Sequence, residues 1–162
     1  MIEVKNIKKS YGDRVVLNNV NLQFQKNNIT VLLGKSGEGK TTLFRIIAGI
    51  EAQDEGQVVI DNSKTTMVFQ DNQLYPHLNV FNNLVLPQRV ILKRNKKEAT
   101  IVSENILKRL NIEYLKYSTV ESLSGGEAQR VAIARALAMD KEIILFDEPT
   151  SALDRENTAN LI

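Results

Sequence analysis

The stretch Ile29-Thr30-Val31-Leu32-Leu33-Gly34-Lys35-Ser36-Gly37-Glu38-Gly39-Lys40-Thr41-Thr42 decides how this chain folds. Residues 29–33 are a short aliphatic and β-branched run that stops at a glycine, the pattern of a buried, parallel-type strand. Leu43, Ile46, Ile47 and Ile50 follow at helical spacing. Strand, glycine loop and helix therefore come in the order that a phosphate-binding loop requires. Gly34, Gly39, Lys40 and Thr41 meet the Gly-x-x-x-x-Gly-Lys-Thr pattern in full, with Lys35, Ser36, Gly37 and Glu38 between the glycines. The glycines let backbone N–H groups turn inward as an anion cradle. The helix points its positive end at the same anion. Lys40 supplies a charge at the β- and γ-phosphates, and the Thr41 hydroxyl is the expected Mg²⁺ ligand. A chance glycine-rich turn is the alternative, and the flanking strand and helix speak against it.

A second apolar run, Ile143-Ile144-Leu145-Phe146, ends in Asp147-Glu148-Pro149. A carboxylate at the C-terminal end of a buried strand faces the ligand crevice of an open α/β sheet. Asp147 is thus placed to hold Mg²⁺ through water. Glu148, next along the chain, points elsewhere and suits a general base toward an attacking water. A strand-ending turn enforced by Pro149 is the bland alternative.

The rest of the pattern surrounds these two segments. Ile2-Glu3-Val4 and Val20-Asn21-Leu22-Gln23-Phe24 alternate as half-buried strands, and Asn27-Asn28 marks a turn. Gln57–Asp61 and Thr65–Phe69 flank Asn62-Ser63-Lys64 and read as a hairpin. Residues 74–139 read as helical, with Val102, Ile106 and Leu110 on one face. Lys93, Arg94, Lys96 and Lys97 read as a solvated helix entry, with acidic lipid or a partner as the other possible contact. The 162 residues carry 21 basic and 19 acidic side chains, a balance that gives no reason to expect nucleic-acid binding. There is no cysteine, hence no disulfide or thiolate metal site. No run reaches the roughly 18 apolar residues of a membrane span. The chain is expected to be soluble and cytoplasmic unless a membrane partner holds it.

Between the loop and the acidic strand lies Leu123-Ser124-Gly125-Gly126-Glu127. Ser124 and Glu127 match a capping box at a helix start, with Val131, Ala134 and Ala138 along that helix. Taken with the other segments, the chain resembles the ATP-binding cassette (ABC) transporter ATPases across nearly its whole length. Residues 34–42 resemble the family's Walker A loop, Gln70 its Q-loop glutamine, 123–127 its signature and 143–148 its Walker B strand with the catalytic glutamate. Ser151-Ala152-Leu153-Asp154 resembles the D-loop, and Tyr11 sits where the family stacks an aromatic on adenine. The signature's fifth residue is most often glutamine, and here it is Glu127.

The resemblance implies an α/β fold: a P-loop NTPase (RecA-like) core, a small antiparallel β subdomain and a helical subdomain over about 72–138. It implies ATP and Mg²⁺ as cofactors and hydrolysis with Glu148, Gln70 and Lys40 in catalytic roles. Thr41, Gln70 and Asp147 would serve the metal. Tyr11, the loop residues 34–42 including Thr42, and Ser124, Gly125, Gly126 and Asp154 would bind nucleotide. Its partners would be a second cassette, head to tail, and transmembrane permease subunits that hold it at the inner face of the membrane. The segment 74–80, with Leu86-Pro87, adds a loose likeness to polar amino-acid importers. A soluble cassette ATPase and an inert, partner-binding fragment are the other readings. The family's catalytic histidine is expected after the D-loop, and the single histidine, His77, precedes the signature and reads as structural. The sequence is therefore expected to be a C-terminally truncated cassette without its last core strands, leaving open edges on two central strands.

Overall fold

The computed structural model describes residues 2–25, 27–60 and 64–148. The chain forms two compact units, Met1–Thr65 and Thr66–Ile162.

In the first unit, β1 (Ile2–Tyr11) and β2 (Arg14–Phe24) form an antiparallel pair across a turn at Gly12-Asp13. The third strand, β3 (Glu55–Val59), pairs antiparallel with the other edge of β1, giving the order β2-β1-β3. Ile2 and Val4 are buried, and Val20, Leu22 and Phe24 are half-buried, as the alternation in the sequence predicts, while Ile7, beyond a register shift after Val4, and Leu17 add to the buried side. Helix α1 (Lys40–Ile47) buries Leu43, Ile46 and Ile47. Ile50 falls beyond the helix end and stays 57% exposed, so the apolar face is one residue shorter than its spacing suggests.

Two expectations are overturned here. Residues 29–33 are not a strand. They have no sheet partner among the described strands, and Ile29, Val31 and Leu33 are 87%, 71% and 87% exposed. Propensity alone does not make a strand, which exists only as one side of a hydrogen-bonded pair. The expected hairpin is also absent. β3 lies against β1, while β4 (Thr65–Val68) pairs with β5 (Ile143–Phe146) in a separate sheet. Exposure explains the split: β3 buries almost nothing, whereas Met67 and Val68 are core residues. Asn62 and Ser63 lie outside the described residues.

The second unit is built on three helices, α2 (Val80–Val90), α3 (Lys96–Arg109) and α4 (Gly125–Ala138). Val80 and Leu84 of α2, Leu107 of α3, Val131 and Ala134 of α4, with Ile112 and Leu115, form one core cluster. The opposite side of α4, Ala132, Ile133 and Ala136, packs with Val68, Ile144 and Phe146 of the β4–β5 sheet. Helix α4 is therefore covered on two sides, which its small alanines allow. The buried line of α3 is Ala99, Ser103 and Leu107, with Ile106 and Leu110 beside it against the core. No helix among the described residues is long and apolar enough to cross a membrane.

The basic cluster divides. Lys93, Lys96 and Lys97 are exposed, but Arg94 is a structural tie. Its Nη1 donates to Gln88 Oε1 at 2.9 Å and to the Ala138 carbonyl at 2.8 Å, and its Nη2 faces Asp140 at 3.3 Å. Gln88 is fully buried and donates in turn to Leu84 O and Ser103 Oγ, both at 2.9 Å. One guanidinium thus caps the last turn of α4 and completes a polar network between α2 and α3. Replacing Arg94 with alanine orphans two acceptors and is expected to cost about 2–3 kcal/mol. Replacing the exposed Lys97 is expected to stay within about 0.5 kcal/mol. Urea unfolding of the two variants measures the difference.

Candidate nucleotide site

The phosphate loop is closed by its own lysine. Lys40 Nζ donates to the carbonyls of Gly34 and Lys35, each at 2.8 Å. The charge that would meet an anion is thus held against the loop's first turn rather than left on a free stem. Gly39 caps α1 in the left-handed region at φ 89°, with no side-chain cap and no acidic residue in the first turn of the helix. The positive end of α1 thus carries no acidic side chain in its first turn, and it favours an anion placed at the loop. A Cβ at Gly39 would meet Leu17 Cδ2 and Val16 Cγ1, each at 2.9 Å, so β2 presses on the loop where only glycine fits. These features fit a polyphosphate.

Arg14 opens β2 and donates from Nη2 to the Gly37 carbonyl at 3.3 Å. Tyr11 is its cross-strand partner. The ring of Tyr11 is 48% exposed, its hydroxyl donates to Glu51 Oε1, and Lys9 Nζ stands 5.4 Å from its centroid. Arg14 thus makes the hydrogen bond from the β1–β2 pair to the phosphate loop, while Tyr11 meets Glu51 and Lys9. Arg14 was not singled out by sequence, because nothing in a strand-opening arginine announces a contact 23 residues away.

In the second unit, the Asp147 N–H donates to Val68 O at 3.0 Å, which seats the aspartate at the end of β5 beside the end of β4. Asp147 is only 3% exposed, while Glu148 is exposed at φ 49°. The two neighbouring carboxylates therefore have different surroundings. Gln70 is exposed, two residues past Val68, so register brings it to the same sheet end. His77 is exposed, its ring 6.2 Å from that of Tyr75. Asp154 and the segment 151–154 lie outside the described residues.

Ser124 is the N-cap of α4 and forms the expected capping box. The Ser124 side chain accepts from Glu127 N at 3.3 Å, and Glu127 Oε2 accepts from Ser124 N at 2.9 Å. The Ser124 hydroxyl also donates to Glu127 Oε2 at 2.7 Å, and Tyr114 donates to Oε1 at 3.1 Å. The Ser124 backbone and hydroxyl, helped by Tyr114 and Arg130, hold the Glu127 carboxyl below its ordinary value. Gly125 and Gly126 form the bare first turn of the helix. Farther along α4, Arg135 Nη1 and Nη2 donate to the carbonyls of Gln73 and Asn72 at 2.7 and 3.0 Å. Both residues have positive φ, at 44° and 58°. Arg135 thus fixes the chain just after Gln70 to the helix that carries Ser124, a role that the apolar pattern of α4 hides.

The family model described as ABC transporter matches residues 17–151. The chain belongs to the ABC transporter ATPase family. Similar curated proteins are the glutamate/aspartate import ATP-binding protein GltL of Escherichia coli (strain K12) and the glutamine transport ATP-binding protein GlnQ of Bacillus subtilis (strain 168). Each is 41% identical over 96% of this cassette and 70% of its own length. Among solved structures, the dimeric cassette MJ0796 matches with a TM-score of 0.91 and 34% identity, over 99% of this chain and 79% of that one. The same cassette in a dimeric post-hydrolysis state with ADP and Pi matches with a TM-score of 0.90. The α/β, P-loop NTPase fold expected from the sequence is therefore the fold of the cassette.

The depressed Glu127 carboxyl has a testable sign. A group whose folded value lies below its unfolded value stabilises above the unfolded value and loses that contribution as pH falls through the folded one. The stability gap between the cassette and its Glu127→Gln variant should be widest near neutral pH and close in acid. Urea midpoints from pH 7 down to about pH 3 measure it.

Proposed function

We propose that the chain is the ATP-hydrolysing subunit of an importer for a polar amino acid. The observation that carries the nucleotide reading is Lys40, held on the carbonyls of Gly34 and Lys35 at the uncapped start of α1. The amino-acid class rests on the names of the relatives and on the segment Leu74-Tyr75-Pro76-His77-Leu78-Asn79-Val80.

In this reading the backbone of 34–42 holds the phosphates, with Lys40 on the β- and γ-oxygens and Tyr11 on the adenine. The Thr41 hydroxyl, the Gln70 amide oxygen and the Asp147 carboxylate would be the hard oxygen donors to Mg²⁺, and the ion would neutralise charge that develops on the phosphate oxygens. Glu148 accepts a proton from water as its oxygen attacks the γ-phosphorus in line. The bond to the bridging oxygen breaks, giving ADP and inorganic phosphate. Gln70 orients the attacking water, and Arg135 keeps the chain beyond it in place.

Ser124, Gly125, Gly126 and Asp154 face the ATP of a second cassette, head to tail. ATP binding closes the pair and hydrolysis releases it. Residues 72–138, with the α2–α4 cluster at their centre, form the helical subdomain that passes this motion to transmembrane permease subunits. The permease holds the chain at the cytoplasmic face of the membrane.

Lys40→Ala is expected to weaken Mg-ATP binding at least tenfold, because it removes the ammonium and releases two loop carbonyls. Glu148→Gln is expected to bind Mg-ATP as the parent does and to lose hydrolysis by about 10²-fold or more. Equilibrium binding and phosphate release, measured on both variants, check the assignment.

A further inference from the structure

The phosphate-loop pattern leaves position 38 unspecified, and this chain puts a carboxylate there. Glu38 Oε2 accepts from the Lys35 N–H at 2.8 Å, and the Glu38 N–H reaches back to the Lys35 carbonyl at 3.4 Å. The carboxylate lies against the bare Cα of Gly34, where an added Cβ would come within 2.6 Å of Oε2. It therefore folds back over the first turn of the loop instead of extending into solvent.

Lys40 is anchored to the same residue. Its Nζ sits 2.8 Å from the Lys35 carbonyl, while the carboxylate sits 2.8 Å from the Lys35 N–H. One residue's backbone separates the two contacts, so ammonium and carboxylate are within about 10 Å of each other. At low salt the Debye length is about 30 Å at 0.01 M, so a polyphosphate drawn to Lys40 enters the field of the carboxylate largely unscreened, whereas physiological salt, with a Debye length of about 8 Å, already weakens that field. The Coulomb penalty grows in proportion to the ligand's charge. Free ATP carries about four negative charges and its Mg²⁺ complex about two, so the penalty is about twice as large for the free nucleotide.

We propose that Glu38 is a charge-selecting residue of the phosphate loop, one that lowers affinity for nucleotide and discriminates against nucleotide that lacks its metal. The inference rests on the loop being the nucleotide site. It makes position 38 act through its side-chain charge and not only through its backbone N–H.

The test is equilibrium binding of ATP to the full-length protein, with Mg²⁺ and with EDTA, for the parent and for Glu38→Gln and Glu38→Ala. Glutamine keeps the oxygen that accepts from Lys35 and removes the charge; alanine removes both. The expected result is that Glu38→Gln tightens free ATP about tenfold and Mg-ATP about threefold at low salt. Both gains should shrink toward unity at about 0.5 M salt, and Glu38→Ala should follow the same direction. Equal tightening of both ligands, no change in either, or weakening by both variants would overturn the proposal, the last by showing that the carboxylate serves only to brace the loop. A parent protein that fails to bind Mg-ATP would instead overturn the nucleotide-site reading, and this inference with it.

Discussion

The contact between Lys40 and the two carbonyls of Gly34 and Lys35 is the constraint on which the site depends. A lysine left in solvent would surrender much side-chain entropy when it met a phosphate. Held on its own loop, it meets the anion with part of that cost already met by folding. The same contact fixes the loop's first turn, while β2, through Val16 and Leu17, fixes the position of Gly39 at the last. Between the two anchors Glu38 bonds back to Lys35 through its N–H and its carboxylate, and Gly39 offers α1 no side-chain cap. The loop is thus pre-shaped for an anion, and the one discordant charge within it, Glu38, stands out for that reason.

Helix α4 does the equivalent work in the second unit. Its 14 residues span about 21 Å. Its first turn carries Ser124 and the two glycines, Arg135 holds the chain that follows Gln70, and its last turn is capped by Arg94. Alanines on both sides let it sit between the helical core and the β4–β5 sheet. A displacement of the segment after Gln70 is therefore linked by hydrogen bonds to the helix that carries the signature. The link consists of two backbone carbonyls and one guanidinium, and it does not depend on any exposed ion pair.

Much of this was legible from short-range signals. The glycine loop, the capping box and the acidic strand end each have local causes, and each appears where the pattern places it. Residues 29–33 and the supposed hairpin did not follow their patterns, because strand formation depends on partners that lie far away in sequence. β-branched content at 29–33 cannot say whether a neighbouring strand is present, and turn residues at 62–64 cannot say that the flanking strands join different sheets. Arg14 and Arg135 were missed, and Arg94 was read as part of a solvated helix entry, for a related reason. A long cationic side chain reaches a carbonyl dozens of residues away, and no periodicity in the sequence encodes that reach. The pairing of Tyr11 with Arg14, the residue that reaches Gly37, is likewise visible only in the register of the β1–β2 pair.

The central claim is that two copies of the phosphate loop and the signature helix complete each other around ATP. The most direct measurement is the solution mass of the full-length Glu148→Gln protein by sedimentation, with Mg-ATP and with Mg-ADP. The account predicts a species of twice the monomer mass with Mg-ATP and a monomer with Mg-ADP. A monomer under both conditions at saturating nucleotide, or a dimer indifferent to the nucleotide, would contradict it.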